Sequence, residues 1–243
     1  MRWCLALLLA LYAQAASEVA ITAELHHHLV FANSHVRVFS VDVPPHSATL
    51  MHRHAHDYFY IVLGATDVSN EVAGRPAVEL KLADGEVRFS PGPFAHLMRT
   101  SDQAFRNVTV ELLEDGKLRH STAKWDEERG LDILQGGTKE VLFVKDGVRA
   151  SEFELQLGGA VPSEPRARPL LLVAVNDLDV FLQDPRTHGP PEPMPSPKHF
   201  RSGETEWLPL GFRQPVVNAG KQAAKFVTLE FPQKSPPKPE PTR

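Results

Sequence analysis

The stretch from Leu50 to Gly64 reads Leu-Met-His-Arg-His-Ala-His-Asp-Tyr-Phe-Tyr-Ile-Val-Leu-Gly. Its histidines, His52, His54 and His56, stand at every second position, and the alternation continues through two tyrosines to Val62. Because successive side chains of a strand point to opposite faces, this spacing predicts a strand with the histidines on one face. Imidazoles that converge from one strand make a poor apolar core but a good start on a metal site.

Length and charge narrow the classes of function. The chain has 243 residues, of which 42% are hydrophobic, 23% are charged and 21 are prolines, and its net charge is -4. This composition is typical of a globular protein and leaves room for one large β domain or two small ones. We expect no nucleic-acid partner, because the chain lacks a basic field.

Residues 1–15 are predicted to form a signal peptide. Arg2 supplies a positive start, residues 3–12 form an apolar run, and Ala13-Gln14-Ala15 fits a small-x-small cleavage site. The alternative is a buried N-terminal helix. The only cysteine, Cys4, lies in this segment, so the mature chain has no disulfide. We therefore expect a protein that is secreted or periplasmic, without a membrane association after the signal is removed.

Short alternating runs follow, separated by turn residues. The predicted strands are Val36–Val43, Val78–Leu82, Glu86–Phe89 and Asn107–Leu113, preceded by a strand-like run over Ala23–Phe31. That first run contains His26, His27 and His28, which we expect to be solvated or at an edge, since adjacent histidines point to opposite faces. Strands of this length and spacing predict an all-β chain built as an antiparallel barrel or sandwich.

The second half of the chain repeats the first. Val148 matches Val36 and Asp179 matches Asp67 at one offset of 112 residues, and the run Val-Thr-Val-Glu at Val108 returns as Val-Thr-Leu-Glu. The repeat predicts two barrels, at residues 16–113 and 139–231. The polar segment 114–138, which ends near a Gly-Gly pair, is predicted to connect them, with a short helix as an alternative. Residues 232–243 are predicted to form a disordered tail.

A second motif in the first half supplies a third histidine. Gly85, Pro91, Pro93 and His96 follow one another as Gly, five residues, Pro-x-Pro, two residues, His. Together with His-x-His before Gly64, this motif resembles the two motifs of the cupin superfamily. The resemblance covers both halves of the chain and implies a bicupin, with two tandem jelly-roll barrels (double-stranded β-helices), and it implies that His52, His54 and His96 bind a metal inside the first barrel.

The chain departs from the family pattern at three positions. Tyr58 stands where the family usually has a glutamate ligand, Pro93 replaces a glycine, and Thr100 replaces an asparagine. Three neutral imidazoles suit a divalent transition metal such as Fe, Zn, Mn, Ni or Cu. Tyr58 is our candidate catalytic residue, with coordination by its phenolate or hydrogen bonding to a metal-bound water as alternatives. His56 is expected to orient a neighbouring imidazole, with coordination of the metal as the alternative, and Asp57 is expected to face outward.

The second copy keeps the scaffold and loses the predicted ligands. Glu164, Arg166 and Leu170 stand at the positions of His52, His54 and Tyr58, and Gln214 replaces His96. Arginine stays protonated and does not bind metal, so we expect this barrel to be metal-free and structural. Arg166 and Arg168 are expected to face inward, either paired with Glu164, displaced by local strand rotation, or bound to an anionic ligand.

The resemblance implies a metal-dependent enzyme of the dioxygenase, isomerase or lyase type that acts on a small organic molecule in the first barrel. The alternatives are a non-catalytic protein that binds a small-molecule ligand, and a purely structural bicupin. Cupin barrels often pair through their edges, so a homodimer is also expected as an alternative to a monomer.

Overall fold

The computed structural model describes residues 18–113, 129–162, 168–182, 196–212 and 215–232. The predicted signal peptide, residues 114–128, Glu164, Arg166, Gln214 and the predicted tail from residue 233 onward lie outside the described residues. The described chain is almost entirely β-strand, as the sequence predicts.

Eighteen strands and one short 3-10 helix, Ile21–Ala23, make up the described secondary structure. In the first half the strands are β1 Val19–Ala20, β2 His27–Ala32, β3 Val36–Val43, β4 His52–His54, β5 Tyr58–Val62, β6 Thr66–Val72, β7 Val78–Leu82, β8 Val87–Ser90, β9 Phe94–Thr100 and β10 Phe105–Leu112. In the second half they are β11 Gly130–Lys145, β12 Val148–Val161, β13 Leu170–Ala174, β14 Leu178–Phe181, β15 Lys198–Phe200, β16 Thr205–Leu208, β17 Val216–Asn218 and β18 Ala224–Glu230.

The first half consists of two five-stranded sheets. One sheet has the order β1-β4-β9-β6-β7 and the other the order β2-β3-β10-β5-β8. The two sheets share one buried apolar cluster, in which Phe39 and Val41 of the second sheet pack with Val68, Leu82 and Met98 of the first. Apolar side chains from both inner faces therefore close this half into a barrel-like unit.

The second half is one eight-stranded sheet. Its order is β15-β14-β17-β12-β18-β13-β16, with β11 paired to β12 outside this path. Its interior is an apolar cluster that includes Phe153, Leu155, Leu172 and Phe226. Phe153 and Phe226 stack with their ring centroids 4.9 Å apart. Strands that curve around such a cluster give the second barrel.

A third apolar cluster joins the two halves. It contains Phe59, Val108 and Val110 from the first half and Leu171 and Val227 from the second. The outer face of the central strands of each half is therefore buried against the other half. Strands β5 and β10 are buried on both faces, with this shared cluster on one side and the interior of the first barrel on the other.

The repeat that the sequence predicts is present in the strands. Strand β3 begins at Val36 and β12 begins at Val148, and both pair antiparallel with a strand near the end of their own half, β10 and β18. The division of the chain into two barrels therefore follows the two copies of the sequence repeat.

Two local predictions differ from the structure. Strand β11 begins at Gly130 and continues through Gly136, so residues 130–138 lie in a strand and not in the predicted connection. A register shift between Gln135 and Gly137 accommodates the two glycines as an irregularity in the strand. The histidine-rich stretch also divides into two strands, because Ala55–Asp57 lie between β4 and β5, which belong to different sheets. None of the described residues forms a helix that is long and apolar enough to cross a membrane.

Candidate metal centre

Strand pairing brings together the three histidines that the sequence predicts as ligands. His52 is the register partner of His96 on the neighbouring strand β9, and His54 follows two residues later on the same face. The ring centroids are 4.5 Å apart for His52 and His96, 5.1 Å for His52 and His54, and 5.2 Å for His54 and His96. All three side chains are buried.

A fourth imidazole, His27, approaches the cluster from the opposite sheet. It opens strand β2, and its ring centroid lies 4.6 Å from that of His52 and 6.2 Å from that of His54. Potential ligand atoms of His27, His52 and His54 all lie within 4.8 Å of one another. His27 does lie on an edge strand, since β2 ends its sheet, but the expectation that it is solvated is wrong, because the side chain is buried inside the barrel.

Hydrogen bonds fix the orientation of three of the four rings through the same nitrogen. Nδ1 of His27 lies 2.6 Å from Oε2 of Glu24, Nδ1 of His52 lies 2.9 Å from the carbonyl oxygen of Leu50, and Nδ1 of His96 lies 2.8 Å from Oδ1 of Asn70. Since each partner atom is an acceptor, Nδ1 carries the proton in the neutral ring and Nε2 carries the free lone pair. This is the tautomer in which Nε2 binds a metal.

The remaining ring nitrogens of His52 and His96 have no hydrogen-bond partner among the described residues. Nε2 of His52 and Nε2 of His96 are buried and form no hydrogen bond with any atom of the described residues. Buried polar atoms are normally satisfied, and an orphan in a native structure requires an explanation. A metal ion that accepts the two lone pairs would supply it, so the residues present fit such an ion.

A small cavity lies at this cluster. Its volume is about 30 Å³, which is more than the roughly 10–15 Å³ that one water molecule needs. The lining residues are His27, Val41, Thr49, His52, His54, Tyr58, Tyr60, His96, Met98, Phe105, Asn107 and Thr109. Polar and apolar groups are both present, so the cavity provides several ligand atoms together with an apolar wall.

Burial keeps these imidazoles neutral. Burial, reinforced by the neighbouring His27, lowers the pKa of His52 from 6.5 to about 4. Burial and the neighbouring His52 lower the pKa of His54 to about 2. Burial, reinforced by His52 and His54, holds the pKa of His96 well below its ordinary value. Each ring therefore keeps a lone pair available for a metal at neutral pH.

Tyr58 lines the cavity but is held away from ionisation. Its ring stacks on that of His54 with the centroids 4.0 Å apart. Burial raises the pKa of the Tyr58 phenol far above its ordinary value, and a hydrogen bond with Ser90 opposes this only in part. At neutral pH the side chain is a protonated phenol, which is a proton donor and a hydrogen-bonding group; this counts against coordination as a phenolate.

Glu111 supplies a buried negative charge that the sequence analysis did not single out. It is the register partner of Tyr58 on strand β10, and its side chain is fully buried. Oε2 forms an ion pair with Arg37 at 2.7 Å, and Oε1 lies 3.6 Å from Nδ1 of His54. The carboxyl group of Glu111 therefore lies behind His54, near the position where the family glutamate is missing, although burial raises its pKa above the ordinary value.

The other residues of the histidine-rich stretch have structural surroundings. His56 is only partly buried and does not line the cavity. Asp57 is buried, and its Oδ1 accepts a hydrogen bond of 2.7 Å from the backbone N–H of Gly92. The prediction that Asp57 faces outward is therefore wrong, because the chain leaves the strand between His54 and Tyr58 and the alternation is interrupted.

The second barrel presents different side chains at the corresponding places. Leu170 is buried in the apolar interior of this barrel. Arg168 is exposed, and its Nη1 lies 3.5 Å from the carbonyl oxygen of Gly147. The expectation that Arg168 points inward is wrong, since the guanidinium remains in contact with solvent.

Comparisons with known proteins agree with this architecture. No known sequence family and no curated protein matches the chain. Among solved structures, a cupin 2 conserved barrel domain protein from Leptotrichia buccalis aligns with a TM-score of 0.51 at 8% identity, over 87% of this chain and 90% of that chain. The chain has a bicupin fold.

Enzymes and other proteins share the bicupin fold. AerE from Microcystis aeruginosa aligns with a TM-score of 0.56 at 10% identity, over 85% of this chain and 97% of that chain. Salicylate 1,2-dioxygenase from Pseudaminobacter salicylatoxidans aligns with a TM-score of 0.55 at 10% identity, over 84% of this chain and 75% of that chain. Oxalate decarboxylase from Lactobacillus farciminis aligns with a TM-score of 0.52 at 13% identity, over 86% of this chain and 85% of that chain. At these identities the likeness shows the fold alone.

Proposed function

We propose that the first barrel binds a divalent transition metal through His52, His54 and His96, and that the bicupin is a metal-dependent enzyme acting on a small organic molecule. One observation carries this proposal. The buried Nε2 atoms of His52 and His96 have no hydrogen-bond partner among the described residues, while the opposite ring nitrogens are held by acceptors. Rings oriented in this way are prepared to bind a cation.

The donor set favours particular metals. Neutral imidazoles bind Fe, Zn, Mn, Ni and Cu better than Mg or Ca, which prefer several oxygen ligands. The two carboxylates nearest the rings, Glu24 and Glu111, contact the histidines themselves and are separated from the proposed ion by an imidazole. We therefore expect transition metals to exclude the alkaline-earth ions from this site.

The bound metal would supply a Lewis acid for a carbonyl or hydroxyl group, or a binding position for dioxygen. The protein would contribute the rest of the chemistry. The protonated phenol of Tyr58 would donate a proton or a hydrogen bond to the substrate, and its ring would keep His54 in place through the stacking contact. Oxygenation, isomerisation and lyase chemistry are the reaction classes that such a centre supports.

The proposal also includes the location of the protein and the kind of molecule that it binds. The N-terminal apolar run and its small-x-small site support export, so that the enzyme would act in the periplasm or outside the cell. The net charge of -4 supports a small-molecule partner in preference to nucleic acid.

Metal analysis of the purified mature protein tests the proposal. We expect one equivalent of transition metal in the wild type, and a large loss of metal in His52→Ala, His54→Ala and His96→Ala, each checked for folding by circular dichroism. The surface variant His46→Ala is the matched control, because this histidine is exposed and does not line the cavity. A wild type that is free of metal and takes up none on reconstitution would contradict the proposal.

Activity is measured next, on the metal-loaded protein. Oxygen consumption and product formation over a panel of small organic acids and phenols separate oxygenation from isomerisation and lyase chemistry. Tight binding of a panel compound without turnover would favour the alternative, a non-catalytic binding protein.

A further inference from the structure

A buried carboxylate–imidazole pair, Glu24 and His27, lies beside the cavity, with His27 on the sheet that faces β4 and β9. The 3-10 helix Ile21–Ala23 ends directly before Glu24, and β2 begins at His27. Both side chains are buried, with 3% exposure for Glu24 and 8% for His27. The family motifs in this chain do not include either residue, and the metal site proposed above does not use them.

We propose that His27 is a fourth ligand of the metal and that Glu24 is the positioning residue that aims it. The inference rests on the metal site proposed above. Potential ligand atoms of His27, His52 and His54 already lie within 4.8 Å of one another. The Nδ1–H of His27 donates to Oε2 of Glu24 at 2.6 Å, so that Nε2 is the nitrogen left for the ion.

Glu24 is tied to the same site from a second direction. Its Oε1 accepts a hydrogen bond of 3.1 Å from the backbone N–H of Leu50, whose carbonyl oxygen accepts the Nδ1–H of His52 at 2.9 Å. Its Oε2 also accepts a hydrogen bond of 2.8 Å from the backbone N–H of His26. One carboxylate thus fixes the strand that carries His27 and the backbone that holds His52.

The pair also replaces the charge that the family glutamate would supply. Tyr58 stands at the usual position of that ligand, and its protonated phenol brings no negative charge. The Glu24 carboxylate places a negative charge one imidazole away from the ion, and a carboxylate that accepts from a ligating histidine makes the ring a stronger donor. The first barrel therefore lacks the acidic ligand of the family on β5, and it has instead a histidine on β2 that is hydrogen-bonded to a carboxylate.

Cobalt(II) binding to the metal-free mature protein tests the inference, with affinity measured by calorimetry and coordination followed by the visible absorption bands of the ion. We expect His27→Ala to weaken cobalt binding by at least about 10-fold and to alter the absorption bands, because one nitrogen donor is lost. We expect Glu24→Gln, which keeps the size and one acceptor oxygen, to weaken binding by about 10- to 100-fold. His28→Ala is the matched control, because this neighbouring histidine is exposed and should bind cobalt like the wild type.

The double variant Glu24→Gln/His27→Ala separates positioning from a general structural role. If Glu24 acts mainly through His27, Glu24→Gln weakens cobalt binding much less in the His27→Ala background than in the wild type, and the small remaining loss is its effect on His52 through Leu50. If Glu24→Gln weakens cobalt binding by the same factor in the wild type and in His27→Ala, the positioning role of Glu24 is overturned. Wild-type affinity and absorption bands in His27→Ala, together with loss of cobalt in His96→Ala, would overturn the fourth ligand while the proposed function stands. A wild type that binds no cobalt would overturn both.

Discussion

The guanidinium of Arg37 on β3 forms an ion pair of 2.7 Å with the fully buried carboxylate of Glu111 on β10. The repeat reproduces this pair in the second barrel, where Arg149 and Glu230 are register partners at 3.3 Å. Only the first copy lies beside an imidazole, because Oε1 of Glu111 is 3.6 Å from Nδ1 of His54. In the first barrel the ion pair of Arg37 and Glu111 therefore lies directly next to the proposed metal centre.

Removing Arg37 should destabilise the protein strongly. Arg37→Ala would leave the Glu111 carboxylate buried without its counter-ion, and breaking a buried pair in this way costs about 3–5 kcal/mol, reduced here because the arginine side chain is 28% exposed. We expect a loss of about 2–4 kcal/mol in the free energy of unfolding by denaturant. Arg53→Ala is the control, because its pair with Glu18 is exposed and should contribute less than about 1 kcal/mol. Equal losses in the two variants would contradict the interpretation.

The stability of the metal-free protein should fall on mild acidification. The pKa of His52 is about 4 in the folded state and 6.5 ordinarily, so between these values the unfolded state binds more protons. The free energy of unfolding should then decrease as the pH falls from 6.5 towards 5, by up to about 1.4 kcal/mol per pH unit for each such group. Thermal or urea unfolding across this range measures the slope.

The slope has a direct control. His52→Gln removes one titrating ring, and its stability should depend less steeply on pH than that of the wild type. Identical slopes in the two proteins would show that His52 is not the group responsible.

Replacing Tyr58 by Phe should leave the metal in place. The variant keeps the ring that stacks on His54 and removes only the hydroxyl, which is hydrogen-bonded with Ser90. We expect unchanged metal content and, on any substrate that the wild type turns over, a rate lower by about 100-fold or more if the phenol transfers a proton. Tyr60→Phe is the control within the same cavity. Loss of metal from Tyr58→Phe would instead assign the residue to coordination.

The apolar cluster between the barrels should make them unfold together. Phe143 from the second half stacks on Phe59 from the first with the ring centroids 5.9 Å apart. Phe143→Ala should cost about 3–5 kcal/mol and keep a single unfolding transition when both barrels are monitored. Ile133→Ala on the same strand should change stability by less than about 0.5 kcal/mol, because Ile133 is 78% exposed. A stepwise transition in the wild type would contradict a shared core.

Strand alternation and the internal repeat predicted two β units, and the resemblance to the cupin motifs added their jelly-roll fold. Val36–Val43 is a strand with the predicted limits, and its repeat begins at Val148 as the offset requires. The resemblance to the two cupin motifs also implied that His52 and His96 meet inside the barrel, whereas their register is seen only in the structure. The end of the segment predicted to connect the two barrels was less predictable, since Gly136 and Gly137 lie at an irregularity of a strand and resemble a loop in sequence.

The second sheet's contribution to the site could not be predicted from the sequence. Three consecutive histidines, at positions 26–28, do not reveal which one faces inward, because a shift of one residue exchanges the two faces. The pairing of His27 with Val41 settles the choice, and it is a long-range contact. Glu111 escaped notice for another reason. On β10 the apolar face with Val108 and Val110 marks the core, so the opposite face reads as solvent-exposed, whereas here it lines the interior of the barrel.

Anomalous diffraction from crystals of the cobalt-loaded protein tests the central claim most directly. Our account predicts one strong peak in the cavity of the first barrel, with Nε2 of His52 and His96 and a ring nitrogen of His54 at about 2.0–2.3 Å from the ion. The fourth-ligand proposal adds Nε2 of His27 at the same distance. A peak elsewhere, for example on the exposed His28, with the cavity empty under saturating cobalt, would contradict the claim that these buried histidines form a metal centre.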